Sequence, residues 1–386
     1  MTLLKSTLAA AALAALASTA SAQQGALKVG LMLPSSGTFA ALGDAIEKGF
    51  KLYVDEQGGK LGGREIQYFK VDDESDPSKA TDNVNKLIKR DQVDVVVGTV
   101  HSGVALAMAR AAKESNTLLV VPNAGADAIT GPLCAPNIVR TSFSNWQPGY
   151  ASGVMATQKG YKRAITIYWN YAAGQESAKG FTEAFTKGGG KVLKELTLPF
   201  PGVEFQALLT EIAAQKPDVV FAFFAGGGAA KFVKDYDAAG LRKVAPLIGS
   251  GFLTDGVLEA QGAAAQGLLT ALHYADGIDT PRNNAFRNKY AVSYKQQPDV
   301  YAVQGYDAAA TLHAGLAAVK GDFKKRDAML AAMRKAPIDS PRGKYTLSAA
   351  GNPVQDFYIR EAKGRENVMA GIAVKALADP ARGCKM

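Results

Sequence analysis

The strongest constraint on this chain is a strand and helix alternation that runs from Leu27, breaks after Arg140 and restarts at Ala164. Short β-branched runs bounded by Gly, Pro, Asn and Asp read as strands, and the stretches between them carry apolar residues at helical spacing. In the first run, strand Leu27 to Leu33 leads to a helix from Ala40 to Gln57, and strand Glu65 to Val71 to a helix ending near Arg90. Strand Val93 to Val100 leads to a helix from Val104 to Lys113, followed by strand Leu118 to Val121. The second run has strands Ala164 to Trp169, Lys191 to Leu198, Val219 to Phe224 and Pro246 to Gly249. Its helices are Gln175 to Lys187, Phe205 to Gln215 and Ala229 to Gly240. Strands alternating with helices of this length require parallel sheets covered on both faces, so the fold class is α/β with two doubly wound, Rossmann-like lobes.

From Ala275 the pattern changes. After the interruption Asp276-Gly277-Ile278-Asp279-Thr280-Pro281, helices Pro281 to Gln296, Tyr301 to Lys320 and Lys325 to Lys335 precede a strand-turn-strand tail, Gly343 to Ile372. Helices without strands of their own must pack on an existing sheet, and these are assigned to the first lobe. Residues 23–143 with 275–345 then form one lobe, and 144–274 with 346–386 the other. A chain that crosses between lobes more than once makes a hinge, with a cleft between two sheet edges.

Residues 1–22 carry a short basic start at Lys5, an Ala/Leu run from Leu8 to Ala17, and Ala20-Ser21-Ala22 before Gln23. This reads as a secretory signal cleaved after Ala22, its apolar run too short to span a membrane. The chain is expected to work in the periplasm. There, its two cysteines, Cys134 and Cys384, point to one disulfide, the alternative being two buried thiols. They and the three histidines fit no ligand spacing, so no metal and no cofactor are expected. The net charge of +9 is dispersed, in short clusters such as Lys324-Lys325-Arg326 without interleaved aromatics. Nucleic acid is therefore not an expected partner, whereas anionic ligands are favoured.

The cleft chemistry concentrates in Gly98 to Gly125. Ser102 stands where a helix N-cap belongs, so its hydroxyl and the following N–H groups leave the carboxyl edge of the sheet, which is a ready anion site. Pro122-Asn123-Ala124-Gly125 is a second small-residue loop on the same edge, and the two loops together can hold a carboxylate. Enzyme apparatus is missing. There is no G-x-S-x-G elbow, no S-x-x-K pair and no phosphate loop, and His101 beside Ser102 in sequence does not make a base and nucleophile pair.

Taken in order, KVGLMLPSSGTFAALGDAIEKGFKLYVDEQGG, DDESDPSKATDNVNKLI, VVVGTVHSGVALAM, VVPNAG, FSNWQPGY and YDAAATLHAGL resemble the extracytoplasmic solute-binding proteins of ABC importers, in the leucine/isoleucine/valine-binding protein family. The similarity spans Leu27 to about Gly371. It implies a type I periplasmic binding protein fold, two lobes joined by three crossings that close on a small ligand, a membrane permease as partner, and a monomer. The family's carboxylate site matches Ser102, through hydroxyl and amide, with Asn123 and Gly125 on the neighbouring loop, where Ala124 between them is also expected to bind ligand. Its cleft walls match Leu42, His101, the loop Tyr171-Ala172-Ala173, Phe224-Ala225 and Tyr301.

Amino-acid binders of this family place a glutamate for the ligand's ammonium near the end of the strand that here reads Leu247-Ile248-Gly249-Ser250-Gly251-Phe252. Gly251 stands there instead, with Asp255 the nearest acid. An ammonium closed into a cleft without a partner costs several kcal/mol. Glycine at that point also leaves room, and Tyr171, Phe224, Phe252, Tyr301 and Trp146 offer flat apolar surface; Phe252 and Trp146 read equally as core, whereas Phe224, though it ends a buried strand, is read as facing the cleft. The expected ligand is an aromatic carboxylate of the benzoate or hydroxycinnamate type. A branched-chain amino acid or amide binder of the same importer class is the alternative, and it would need an acid facing the cleft.

Overall fold

The computed structural model describes residues 25–386, so the leader expected at residues 1–22 lies outside the described residues. The first lobe is built from β1 (Leu27–Leu33), α1 (Ala40–Glu56), β2 (Lys60–Leu61), β3 (Arg64–Asp72), α2 (Pro77–Asn85), β4 (Val95–Val97), α3 (Ser102–Ser115), β5 (Leu118–Val121) and β6 (Ile138–Arg140). Its sheet order is β2-β3-β1-β4-β5-β6, parallel except for β2 on β3. The second lobe follows with α4 (Trp146–Gln158), β7 (Arg163–Trp169), α5 (Ala172–Lys187), β8 (Lys191–Leu198), α6 (Gln206–Gln215), β9 (Val219–Phe223), α7 (Gly226–Ala238), β10 (Leu247–Ser250) and β11 (Leu269–Leu272). The chain continues through α8 (Pro281–Tyr294), α9 (Val300–Ala318), α10 (Arg326–Lys335), β12 (Thr346–Leu347), β13 (Pro353–Lys363) and β14 (Glu366–Leu377). The second sheet runs β12-β13-β11-β10-β9-β7-β8, with β14 on the far side of β13.

Both sheets put their first strand inside, the second on one flank and the third on the other. The order therefore reverses between β1 and β4, and between β7 and β9, which opens a crevice at the carboxyl ends of the strands. The strands are apolar through and through because helices cover both faces: Val95, Val96 and Val97 are all fully buried. Helix α9 is buried almost end to end against α1. A Cβ on Gly49 would collide with the Ala302 carbonyl, and one on Gly305 with the Ile46 carbonyl, so the two helices approach as closely as backbones allow.

Three sequence expectations shift. The strand expected from Val93 to Val100 is only Val95–Val97, because the chain turns at 98–101 to start α3. Residues 225–228, expected as a loop, include the first turn of α7. Strand β11 was not expected at all.

The chain passes between the sheets at 141–145, 273–280 and 336–345. Arg342, buried in the third passage, ties it to the first. Its guanidinium donates to the carbonyls of Thr141 and Ser142 and to Gln355 Oε1, and pairs with Asp307 at 3.0 Å. Gln147 adds bonds to the Pro353 carbonyl and from Asn352 Nδ2. Beyond β14 the chain returns to the first lobe. Asp379 accepts from Thr130 Oγ1 at 2.7 Å beside the buried Arg140, and Cys384 is disulfide-bonded to Cys134 with a Cα–Cα distance of 5.6 Å.

Candidate functional site

The carboxyl edges of the two sheets face each other across a small cavity, closed down to about 20 Å³. From the first lobe it is lined by Phe39 and Leu42 after β1, Val100 and Ser102 after β4, and Asn123 and Gly125 after β5. Phe143 and Asn145 of the first crossing, Tyr171 and Ala173 after β7, Phe223 and Ala225 after β9, Phe252 after β10 and Tyr301 at the start of α9 complete it. No lining residue carries a charge. Phe143 and Phe252 meet at 4.8 Å between ring centroids, and Phe252 and Tyr301 at 6.2 Å, so one end of the cavity is an aromatic slot.

The other end is a donor site. Helix α3 leaves the N–H groups of its first turn without intrahelical acceptors. Gly103 N–H is taken by His101 Nδ1 at 3.0 Å, which leaves Ser102 and Val104 as the remaining first-turn donors. His101, not Ser102, is therefore the N-cap, and the Ser102 hydroxyl is free for the cavity. Asn145 Nδ2 donates to Ser102 Oγ at 3.2 Å and to Glu176 Oε2 at 2.8 Å. Asn123 Nδ2 donates to Gln304 Oε1 at 2.7 Å, and Gln304 reaches His273 in the second crossing at 3.3 Å. The Tyr301 hydroxyl is buried without a partner. Such an arrangement can seat a flat ring with one anionic group against helix N–H groups and a hydroxyl.

Nine of the expected residues line the cavity: Leu42, Ser102, Asn123, Gly125, Tyr171, Ala173, Ala225, Phe252 and Tyr301. Five do not. His101 sits one layer behind, stacked on Tyr171 at 4.7 Å, and burial pushes its pKa down to about 4, so it is neutral. Ala124 faces the core of the first lobe. Trp146 packs against Tyr150 with its ring tilted and donates to Glu183 at 2.9 Å. Phe224 is packed among Trp169, Phe205 and Phe232, because side chains alternate along a strand and it is Phe223 that points into the cleft. Gly251 leaves no room for ligand, since a Cβ there would run into the Arg360 guanidinium and Leu272.

Arg360 itself is fully buried and pairs with Asp255 at 2.6 Å, while also donating to the carbonyls of Gly251 and Tyr274. Asp255 is thereby neutralised and faces an outer hollow with Asp276 and Asp299, not the cavity. Residues missed in the sequence are Phe39, Val100, Phe143, Asn145 and Phe223. Only Phe39 and Phe223 carried a signal, as aromatics next to a strand end; Phe143 and Asn145 belong to a polar crossing without periodicity.

Two α/β lobes hinged by several crossings and closed over an uncharged cavity define a cleft-closing solute-binding protein. More particularly, the chain belongs to the periplasmic binding protein family, whose model matches residues 26–367. A Brucella abortus Leu/Ile/Val-binding protein homolog 6 is 30% identical over 344 residues, covering 87% of each chain. The solute-binding protein of an ABC transporter from R. palustris, solved with benzoate, is 56% identical, with a TM-score of 0.92 over 94% of this chain and 100% of that one. A second such protein, from Rhodopseudomonas palustris BisB5 with 3,4-dihydroxybenzoic acid, is 31% identical, with a TM-score of 0.87 over 92% and 99%. The chain is thus an ABC-type solute-binding protein of a periplasmic family, and its relatives are binding proteins, not enzymes.

Proposed function

We propose that this protein captures an aromatic carboxylate of the benzoate or hydroxycinnamate type in the interlobe cavity and delivers it to the membrane permease of its importer. It does so as an exported monomer with residues 1–22 removed. The observation that carries this reading is the cavity itself: an aromatic slot at one end, helix N–H groups and the Ser102 hydroxyl at the other, and no acid for an ammonium among its lining residues. The likeness to the benzoate-bound R. palustris protein supports the ring and the carboxylate. The open form takes ligand on Ser102, Asn123 and Gly125. The second lobe then covers the ring with Tyr171, Phe223 and Phe252, and the ligand's greater affinity for the closed form shifts the population that the permease reads.

The test is a thermal-shift and calorimetric screen of refolded, ligand-free protein against benzoate, hydroxybenzoates and hydroxycinnamates, alongside leucine, isoleucine and valine. A ligand at 100 times its Kd stabilises by about 2.7 kcal/mol, a shift of several degrees. Stabilisation by the aromatic acids, with Ser102→Ala weakening them and leaving the ligand-free Tm in place, is the expected result. Stabilisation by the branched-chain amino acids alone overturns the reading.

A further inference from the structure

Glu176 stands on the second turn of α5 in the second lobe, outside the cavity wall, yet it touches the carboxylate end through one intermediary. Its Oε2 accepts from Asp127 N–H of the first lobe at 3.0 Å and from Asn145 Nδ2 of the crossing at 2.8 Å. A carboxylate only accepts, so Asn145 must turn its NH2 group toward it. The same nitrogen is 3.2 Å from Ser102 Oγ, and an amide nitrogen has one hydrogen for each partner. Ser102 Oγ is therefore an acceptor in this bond, and its own proton is left for the cavity that the residue lines. The Asn145 backbone is fixed as well. Its N–H donates to the Gly125 carbonyl at 2.7 Å, and its own carbonyl accepts from Ser177 Oγ of α5 at 3.2 Å. Asn145 Oδ1 lies so close over Gly125 that a Cβ there would overlap it.

We propose that Glu176 is a positioning residue for the carboxylate subsite: by orienting the Asn145 amide it makes Ser102 a hydrogen-bond donor to the bound carboxylate, and it does so from the second lobe. Resting on the aromatic-carboxylate reading above, this assigns the choice of an anionic group over a neutral one to a residue that does not touch the ligand. A glutamine at 176 keeps a carbonyl oxygen for Asp127 N–H and Asn145 Nδ2, because a single oxygen accepts both bonds, whereas an alanine leaves the Asn145 amide unheld. Asn145 is then free to turn over, Ser102 donates to its Oδ1, and what faces the ligand is a lone pair that repels a carboxylate but accepts from a carboxamide. Because the Glu176 contacts reach the first lobe and the crossing, the donor is set when the lobes are together.

The experiment is a cycle of wild type, Glu176→Ala, Ser102→Ala and the double variant, titrated calorimetrically with benzoate and with benzamide. Glu176→Ala is expected to weaken benzoate about tenfold and benzamide by less than about threefold, as removal of one charge-assisted bond implies. In the Ser102→Ala background the same change is expected to have almost no effect on benzoate, because the two residues act through one proton. Glu176→Gln, which keeps the accepting oxygen, is expected to bind benzoate nearly as the wild type does. Equal losses for benzoate and benzamide in Glu176→Ala, or independent losses that multiply in the double variant, overturn the proposal. So does unchanged benzoate affinity in Glu176→Ala. Failure of the wild type to bind benzoate or its hydroxylated derivatives overturns the parent reading and this one with it.

Discussion

His101 holds two structures together at once: its Nδ1 caps α3, and its ring stacks on Tyr171 across the cleft while meeting Phe200 edge-on at 4.8 Å. Burial lowers its pKa to about 4, against about 6.5 in an unfolded chain. Between those values the unfolded chain takes up a proton that the folded one refuses, so this residue's contribution is fully present above pH 6.5 and is lost as the pH falls toward 4. At pH 5 the loss is about 2 kcal/mol. His101→Asn, which keeps an acceptor for Gly103 N–H, is expected to narrow the gap in Tm between pH 7 and pH 5; an unchanged gap overturns this assignment. Ser102, Asn123 and Gly125 were legible because each follows a strand at one edge of the first sheet, whereas Tyr171 and Tyr301 were legible through the resemblance to the family. The sequence misplaced Phe224 by one residue, since consecutive phenylalanines at a strand end look alike until the alternation is fixed by the sheet. It could not place Gly251, because Arg360, the group that fills the space above it, is 109 residues away.

At the scale of elements, the start of α7 decides how near the lobes come. Gly226 has a φ of +54°, and a Cβ there would sit 2.9 Å from the Thr38 carbonyl of the first lobe, with Leu42 also in contact range. A side chain would be strained by the backbone and would stand between the lobes. Gly226→Ala is expected to raise the Kd for the ligand at least about tenfold while leaving the first-lobe wall of the cavity intact, readable by titration together with small-angle scattering. Unchanged affinity and a fully compact bound form would sink it. Gly226-Gly227-Gly228 read as a loop because three glycines carry almost no helical propensity; the helix starts there anyway because Ala229, Phe232, Val233 and Tyr236 bury one face of it. Strand β11 escaped notice for the opposite reason. Its four residues show no alternation, and its pairing with β10 and β13 comes from chain far away in sequence.

Across the whole molecule, the doubled alternation made the two sheets and their facing edges legible, while the way the crossings are fastened was not. Arg342 joins residues 200 positions apart, and nothing in the local text around Pro341-Arg342-Gly343 marks it. The disulfide closes a separation of 250 residues. By loop entropy it stabilises by roughly 3–5 kcal/mol. Replacing both cysteines with serine, or reducing the wild type, is expected to lower the Tm by several degrees, with the two treatments agreeing; an unchanged Tm in both overturns that contribution. The same bond settles which body the chain's end belongs to. β14 is a strand of the second sheet, but Cys384 is anchored to the first lobe, so a fluorophore attached after Met386 travels with the first lobe. Paired with a dye on Lys234 of α7 it would register every opening and closing as a change in energy transfer, whereas paired with one on Lys113 of α3 it would stay silent.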